Sequence, residues 1–102
     1  KHAPMARFEW HDKKNDSNQK KHGLSFEDAS QVFDDPDRIQ YFSHRGNEKR
    51  YLTVGKVIKF IIAVVYTVRS GVLRIISARQ AKRREVKDYL ENKLKKQDDE
   101  RD

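Results

Sequence analysis

No cysteine occurs in the 102 residues, which excludes a disulfide scaffold, thiolate chemistry and a cysteine-built metal site. No apolar run is long. The longest, Phe60 to Tyr66, is far too short to span a bilayer. There is no signal-peptide pattern, and no internal repeat is visible. The hydrophobic set is only 35% of the chain, and a chain of this size buries only about 60–65% of its unfolded surface. One modest core and one surface site fit; a catalytic domain with a separate regulatory one does not. The expectation is a single soluble, cytoplasmic domain over residues 5–96. Lys1, His2, Ala3 and Pro4 precede Met5 and read as a cloning remnant. From Lys95 onward almost nothing is apolar, so residues 97–102 read as a disordered tail.

Charge is abundant: 23 Lys and Arg against 16 Asp and Glu give a net +7. Such a balance favours a polyanionic partner, nucleic acid first, although it also serves solubility. The charge is unevenly spread. Glu27, Asp28, Asp34, Asp35 and Asp37 form an acidic stretch that lacks the spacing of a metal site and reads as a solvated helix face and loop. Arg79, Lys82, Arg83, Arg84, Lys87, Lys93, Lys95 and Lys96 make the closing segment strongly basic.

Periodicity predicts an α+β domain. Arg7 to Trp10 alternates as a short strand. Asp12 to Lys21 has no apolar residue, so a helix there is either exposed all round or docked only through its flanks, Trp10 and Leu24. Gly23 suits the left-handed position that ends it. Ser25-Phe26-Glu27-Asp28 is an N-cap signature, and Phe26, Ala29, Val32 and Phe33 follow at helical spacing before Asp34-Asp35-Pro36 stops the helix. The period then changes to two. Strands are expected over Arg38–Ser43, Lys49–Gly55, Phe60–Tyr66 and Val72–Ala78, an antiparallel sheet of about four strands. In the last, Leu73, Ile75 and Ser77 take one face and Val72, Arg74 and Ile76 the other. Val86, Leu90 and Leu94, joined by Tyr89, predict a closing amphipathic helix laid on the sheet.

Three segments carry a resemblance. They are Phe8-Glu9-Trp10 followed by Asn18-Gln19-Lys20-Lys21-His22-Gly23-Leu24-Ser25-Phe26; then Arg50-Tyr51-Leu52-Thr53-Val54-Gly55; then Arg74-Ile75-Ile76-Ser77-Ala78-Arg79 running on to Glu85, with Tyr89 beyond. In this order and spacing the chain resembles the BrnT family of toxins from bacterial type II toxin–antitoxin modules. The resemblance implies a RelE-like fold with two N-terminal helices. It also implies metal-independent RNA cleavage without a cofactor, and inhibition of translation. It further implies a cognate antitoxin, BrnA-like, with a ribbon–helix–helix domain, and operator DNA reached only through the toxin–antitoxin complex. One departure is Gln19, where family members carry an apolar residue after the matched Asn18.

Attack of a 2′-hydroxyl on the neighbouring phosphate needs a base, an acid and cations to stabilise the transition state. His22 is the acid/base candidate because imidazole changes charge near neutral pH, and Lys21 stands beside it; the alternative for His22 is a plain helix cap. Guanidinium groups bind phosphate bidentately and stay charged. Arg79 lies between the last strand and the closing helix, and Arg83, four residues on, shares its face if Arg79 opens that helix. These two are placed to hold the scissile phosphate. Glu85 either orients Arg79 or Lys82 or serves as the base. Arg69, Arg74, Lys82 and Arg84 are candidate RNA contacts, with a solvated basic face as the alternative. Tyr89 either stacks on a base or faces the core, and periodicity favours the core. Tyr51 and Tyr66 lie on the sheet, where one of them is a further base-stacking candidate. Trp10 reads as a core anchor. The competing function is a non-catalytic basic module that binds RNA or DNA, or docks a partner.

Overall fold

The computed structural model describes residues 7–101, so the reading of residues 1–4 lies outside it. The chain forms β1 (Phe8–Trp10), α1 (Asp12–His22), α2 (Phe26–Ala29) and a 3-10 turn (Ser30–Asp34). It continues through β2 (Ile39–Arg45), β3 (Glu48–Val57), β4 (Phe60–Arg69), β5 (Val72–Gln80) and α3 (Arg83–Arg101). The class is α+β, as expected. The sheet is larger than expected: five strands in the order β1-β5-β4-β3-β2. β2 to β5 are an antiparallel meander, and β1 adds a parallel edge along β5 with Phe8 opposite Leu73 and Trp10 opposite Ile75. No helix among the described residues is long and apolar enough to cross a membrane.

The helix expected over Phe26 to Phe33 is one α-turn followed by a 3-10 turn. Ser25 caps it as predicted, accepting from the Asp28 N–H at 3.1 Å. Ser30 then donates to the Glu27 carbonyl at 2.6 Å, an acceptor that a continuing α-helix would give to the next turn. The tightened turn drops Val32 and Phe33 onto the sheet. Gly55 permits the approach: a Cβ there would sit 2.8 Å from Val32 Cγ2 and 3.0 Å from Arg38 Cβ.

Apolar residues pack on both faces of the sheet. One face meets α2 and the 3-10 turn, burying Phe26, Ala29, Val32, Ile62, Val64, Ile75 and Ala78, with Trp10 packed edge-on to Phe26 at 6.2 Å. The other meets α3 through Tyr89, against Val54 and Ala63.

α1 has no apolar face, and it docks through one side chain. Asn18 is 6% exposed. Its Nδ2 donates to the Ala78 carbonyl at 2.8 Å and to the Leu24 carbonyl at 3.0 Å, and its Oδ1 accepts from the Ala78 N–H at 3.1 Å. β1 ends at Trp10, opposite Ile75, so the β5 edge beyond Ile75 would be left bare; Asn18 pairs it as a neighbouring strand would.

α3 corrects the sequence reading most. Tyr89 is buried, but Leu90 and Leu94 are 46% and 61% exposed. The inward face is polar instead. Tyr89 Oη donates to Asp35 at 2.6 Å, Asn92 Nδ2 to the Asp37 carbonyl at 3.3 Å, and Lys96 Nζ to the Pro36 carbonyl at 2.7 Å. These bonds fix the helix rotation and turn the Val86–Leu90–Leu94 stripe outward. The helix also runs on to Arg101, across positions read as tail.

Candidate functional site

A β-bulge organises the site. Tyr66 pairs with Ile75 and Val65 with Ser77, so Ile76 is an extra residue in β5. Bulges re-aim the side chains that follow them. In an unbroken strand Arg74 and Arg79 would point to opposite faces. Here Arg74 lies opposite Thr67 and Arg79 opposite Ala63, four residues apart on an unbulged strand, so both arginines share one face. Ser77 joins them, on the face opposite to the one expected. The rows of Arg74 and Arg79 are about 13 Å apart along the sheet, close enough for two long side chains to approach one ligand from either side.

That face beyond α3 is an open basin. Its floor is Leu52 and Val65, with Ser77 at the side of β5. Arg79 and Tyr41 stand at the α3 end; Arg74, Arg50 and Ser43 occupy the next row outward. Arg69 and Glu48 lie at the far end, where the two hairpin turns are.

Each arginine is held by a carboxylate. Arg79 makes a bidentate pair with Glu85, Nη1 to Oε1 at 2.8 Å and Nη2 to Oε2 at 3.0 Å. Glu85 Oε1 also accepts the Lys82 N–H at 2.8 Å, the reach-back of a capping box at the start of α3. The bond from Arg79 holds the Glu85 carboxyl below the usual carboxylate range against the opposing effect of burial, and the same bond raises Arg79 above its ordinary value. With its lone pairs so engaged, Glu85 positions Arg79. Arg74 Nη1 pairs with Glu9 at 3.0 Å, and Glu48 takes both Arg50 and Arg69 at 3.1 Å. Tyr41 donates to Asp88 at 2.6 Å. Burial and that bond push the Tyr41 hydroxyl up to about 12, so it stays protonated at neutral pH.

The other sequence candidates fall in distinct places. Lys21 and His22 end α1 and line an open groove with His11, Lys14, Ile76 and Ser77, so they flank the bulge. Arg83 does not share a helix face with Arg79, because Arg79 is still in β5. It lines the outer side of α3 with Val86 and Leu90. Arg84 is exposed and pairs with Asp88 at 3.4 Å. Lys82 is exposed, and its backbone N–H serves the cap. Tyr89 is 1% exposed with its hydroxyl committed to Asp35, which removes it as a base platform. Asp35, read as solvated, is a hub: it also accepts the Lys56 and Asp37 N–H groups. Burial raises its carboxyl, and the three bonds outweigh that and hold it below the usual range. Sequence reasoning missed Arg50 and Tyr41. Both alternate onto the basin face, but only the sheet order reveals that this face is open.

The model of the family described as "Ribonuclease toxin, BrnT, of type II toxin-antitoxin system" matches residues 10–85. The match takes in Lys21, His22, Arg50, Arg74, Arg79 and Glu85 and covers most of the chain, which therefore belongs to this ribonuclease toxin family. Membership supplies RNA as the substrate class and an antitoxin protein as partner. No curated protein matches the sequence.

Proposed function

We propose that the chain is a metal-independent endoribonuclease whose catalytic surface is the arginine basin, acting in the cytoplasm to inhibit translation. The observation that carries this reading is the Ile76 bulge, which puts Arg74 and Arg79 on one open face while Glu85 clamps Arg79 from α3. Arg79 and Arg74 hold the scissile phosphate and stabilise charge building on its oxygens. The 2′-hydroxyl gives its proton to a base as its oxygen attacks the neighbouring phosphorus, the bond to the 5′-oxygen breaks and that oxygen takes a proton from an acid, and the products end in a 2′,3′-cyclic phosphate and a 5′-hydroxyl. His22, with Lys21 beside it at the rim of the bulge groove, is the acid/base group. Glu85, Glu9 and Glu48 are spent on arginines.

The antitoxin, a ribbon–helix–helix protein of the BrnA type, docks on the outward stripe of α3. This groove is lined by Ala81, Arg83, Val86, Lys87, Leu90, Glu91 and Leu94. Apolar contacts flanked by the cations Arg83 and Lys87 and by the single acid Glu91 suit an amphipathic segment whose borders carry acids opposite the two cations and a base opposite Glu91. The groove begins at Ala81, two residues past Arg79, so a bound segment reaches the basin rim.

The test is cleavage of total bacterial RNA by the purified chain with and without EDTA. Cleavage that persists in EDTA, yields cyclic phosphate ends and falls at least 100-fold in Arg79→Ala supports the reading. Loss of cleavage in EDTA, or full activity in both Arg74→Ala and Arg79→Ala, overturns it.

A further inference from the structure

The sheet has a second open surface, on the face opposite the basin. Phe42, Tyr51 and Tyr66 sit side by side across β2, β3 and β4. Tyr51 stacks on Tyr66 with centroids 5.1 Å apart at 21°, and Phe42 meets Tyr51 at 5.4 Å and 66°. Phe33 closes the inner end against Tyr66 at 4.9 Å, and Phe8 lies beyond it at 5.4 Å. Five rings thus run in a continuous row from the core to the edge of the sheet. The inner end is core, with Tyr66 5% exposed and its hydroxyl donated to Gln40. The outer end is open: Phe42 is 61% exposed on the edge strand.

The cations on this face are arranged differently from those in the basin. Lys49 Nζ lies 4.8 Å from the Phe42 centroid and 5.4 Å from that of Tyr51. Among the described residues it has no carboxylate partner. His44 lies opposite Lys49 on the same face. The nearest acid in sequence, Glu48, points to the other face and is taken by Arg50 and Arg69.

We propose that this surface is a second RNA contact, a platform on which unpaired bases of the substrate strand stack on Phe42 and Tyr51 while Lys49 takes a phosphate. The proposal rests on RNA being the polymer that the chain binds, and does not need the chain to cut it. A half-exposed phenylalanine on an unpaired edge strand is a liability unless something covers it. The placement of Lys49 selects the occupant. An apolar protein surface laid over the rings would desolvate an unpaired ammonium, which is costly. A nucleic acid strand supplies both a π-face for the rings and a phosphate for the ammonium. The strand must be single, because an A-form duplex keeps its base faces stacked inside. β2 is an outer edge of the sheet, so a flexible strand can pass round it from the platform to the basin. Stacking on a ring serves every base, so the platform adds affinity with little sequence preference.

The test uses the full chain and a fluorescein-labelled twelve-nucleotide 2′-O-methyl oligoadenylate, which binds but lacks the attacking hydroxyl. Anisotropy gives its affinity at several salt concentrations. Phe42→Leu keeps an apolar side chain but no ring, and is expected to weaken binding about five- to hundred-fold, the range for losing one stacked base. Phe42→Trp is expected to hold or improve binding. Lys49→Ala is expected to reduce the salt slope by about one phosphate. In single-chain RNA cleavage Phe42→Leu is expected to raise KM by a similar factor and leave kcat unchanged. Binding by Phe42→Leu equal to the original overturns the platform, as does equal affinity for a duplex of the same length. Loss of antitoxin binding in Phe42→Leu with RNA binding intact also overturns it, by giving the surface to the protein partner. If the original chain cuts no RNA but binds the oligoadenylate through Phe42, the catalytic reading fails and the platform stands.

Discussion

Replacing Glu85 with Gln separates a positioning role from a chemical one. The substitution preserves shape and leaves an oxygen for the Lys82 N–H, but it removes the charge and one of the two Glu85 oxygens that hold Arg79, whose third acceptor is the Gln80 carbonyl at 3.2 Å. The side chains of Arg79 and Glu85 are 24% and 13% exposed. That places the pair between a surface ion pair, worth at most about 1 kcal/mol, and a buried one, which costs about 3–5 kcal/mol to break. A loss of about 2 kcal/mol follows, or a fall in Tm of about 8–15 °C for a domain of this size. The pH dependence has a fixed sign. The Glu85 carboxyl lies below its ordinary value in the folded chain, so its contribution is complete above the ordinary carboxylate pKa of about 4.3. It is lost as pH falls through the depressed value. The gap in Tm between original and Glu85→Gln should therefore be full at pH 7 and close progressively below about pH 4. In cleavage assays Arg79 stays charged but is held less firmly, and kcat should fall about 10- to 100-fold. The double variant Arg79→Ala/Glu85→Gln should be no slower than Arg79→Ala alone, since the second residue acts only through the first. The reasoning is refuted if the two losses multiply, which would make Glu85 a reacting group, or if Glu85→Gln melts at the original temperature at pH 7.

Gly55→Ala should destabilise the chain by about 1–3 kcal/mol in thermal denaturation, because its Cβ would meet Val32 Cγ2 at 2.8 Å and Arg38 Cβ at 3.0 Å. Asn18→Ala should cost about 2–4 kcal/mol by leaving the Ala78 N–H and carbonyl unpaired; amide hydrogen exchange should show Ala78 losing protection before the rest of β5. Leu90→Glu and Leu94→Glu lie on exposed positions and should shift Tm by less than about 2 °C. Both should nevertheless weaken antitoxin binding at least ten-fold by calorimetry, whereas unchanged affinity would move the antitoxin to another surface.

Local structure was largely legible in the sequence. The Ser25 cap, the Gly23 terminus and the period-two strands each follow from a few adjacent residues. What escaped depends on partners far along the chain. α1 offered no apolar stripe, because Asn18 docks it onto the backbone of a strand 60 residues away. The stripe Val86, Leu90 and Leu94 fits the usual inward pattern, yet three polar bonds from Tyr89, Asn92 and Lys96 to the Asp35–Asp37 segment turn it outward. Periodicity weighs apolar residues and is blind to such bonds. The candidate site was half legible. Arg74, Arg79 and the orienting role of Glu85 were nameable from charge and position. That Arg74 and Arg79 share a face was not, because a bulge leaves no mark in an alternating pattern and reverses every face assignment after it.

The two faces of the sheet hold their cations in opposite ways, and the difference bears on how each would meet RNA. In the basin Arg79, Arg74, Arg50 and Arg69 each rest on a carboxylate. A phosphate entering there must compete for guanidinium donors that are already bonded, so the basin gains little from an arbitrary anion. It gains more as negative charge builds on the phosphorus oxygens, the condition under which pre-set cations accelerate a reaction. Lys49 rests only on aromatic rings, a weaker hold than a carboxylate, and yields readily to any strand that offers a base and a phosphate. On the proposed reading, capture falls to the platform and discrimination of the transition state to the basin. The sheet edge at β2 joins the two, and the antitoxin need cover only the basin rim beside Ala81 and Arg83 to silence cleavage. Such a complex would still bind single-stranded RNA through Phe42 while cutting none.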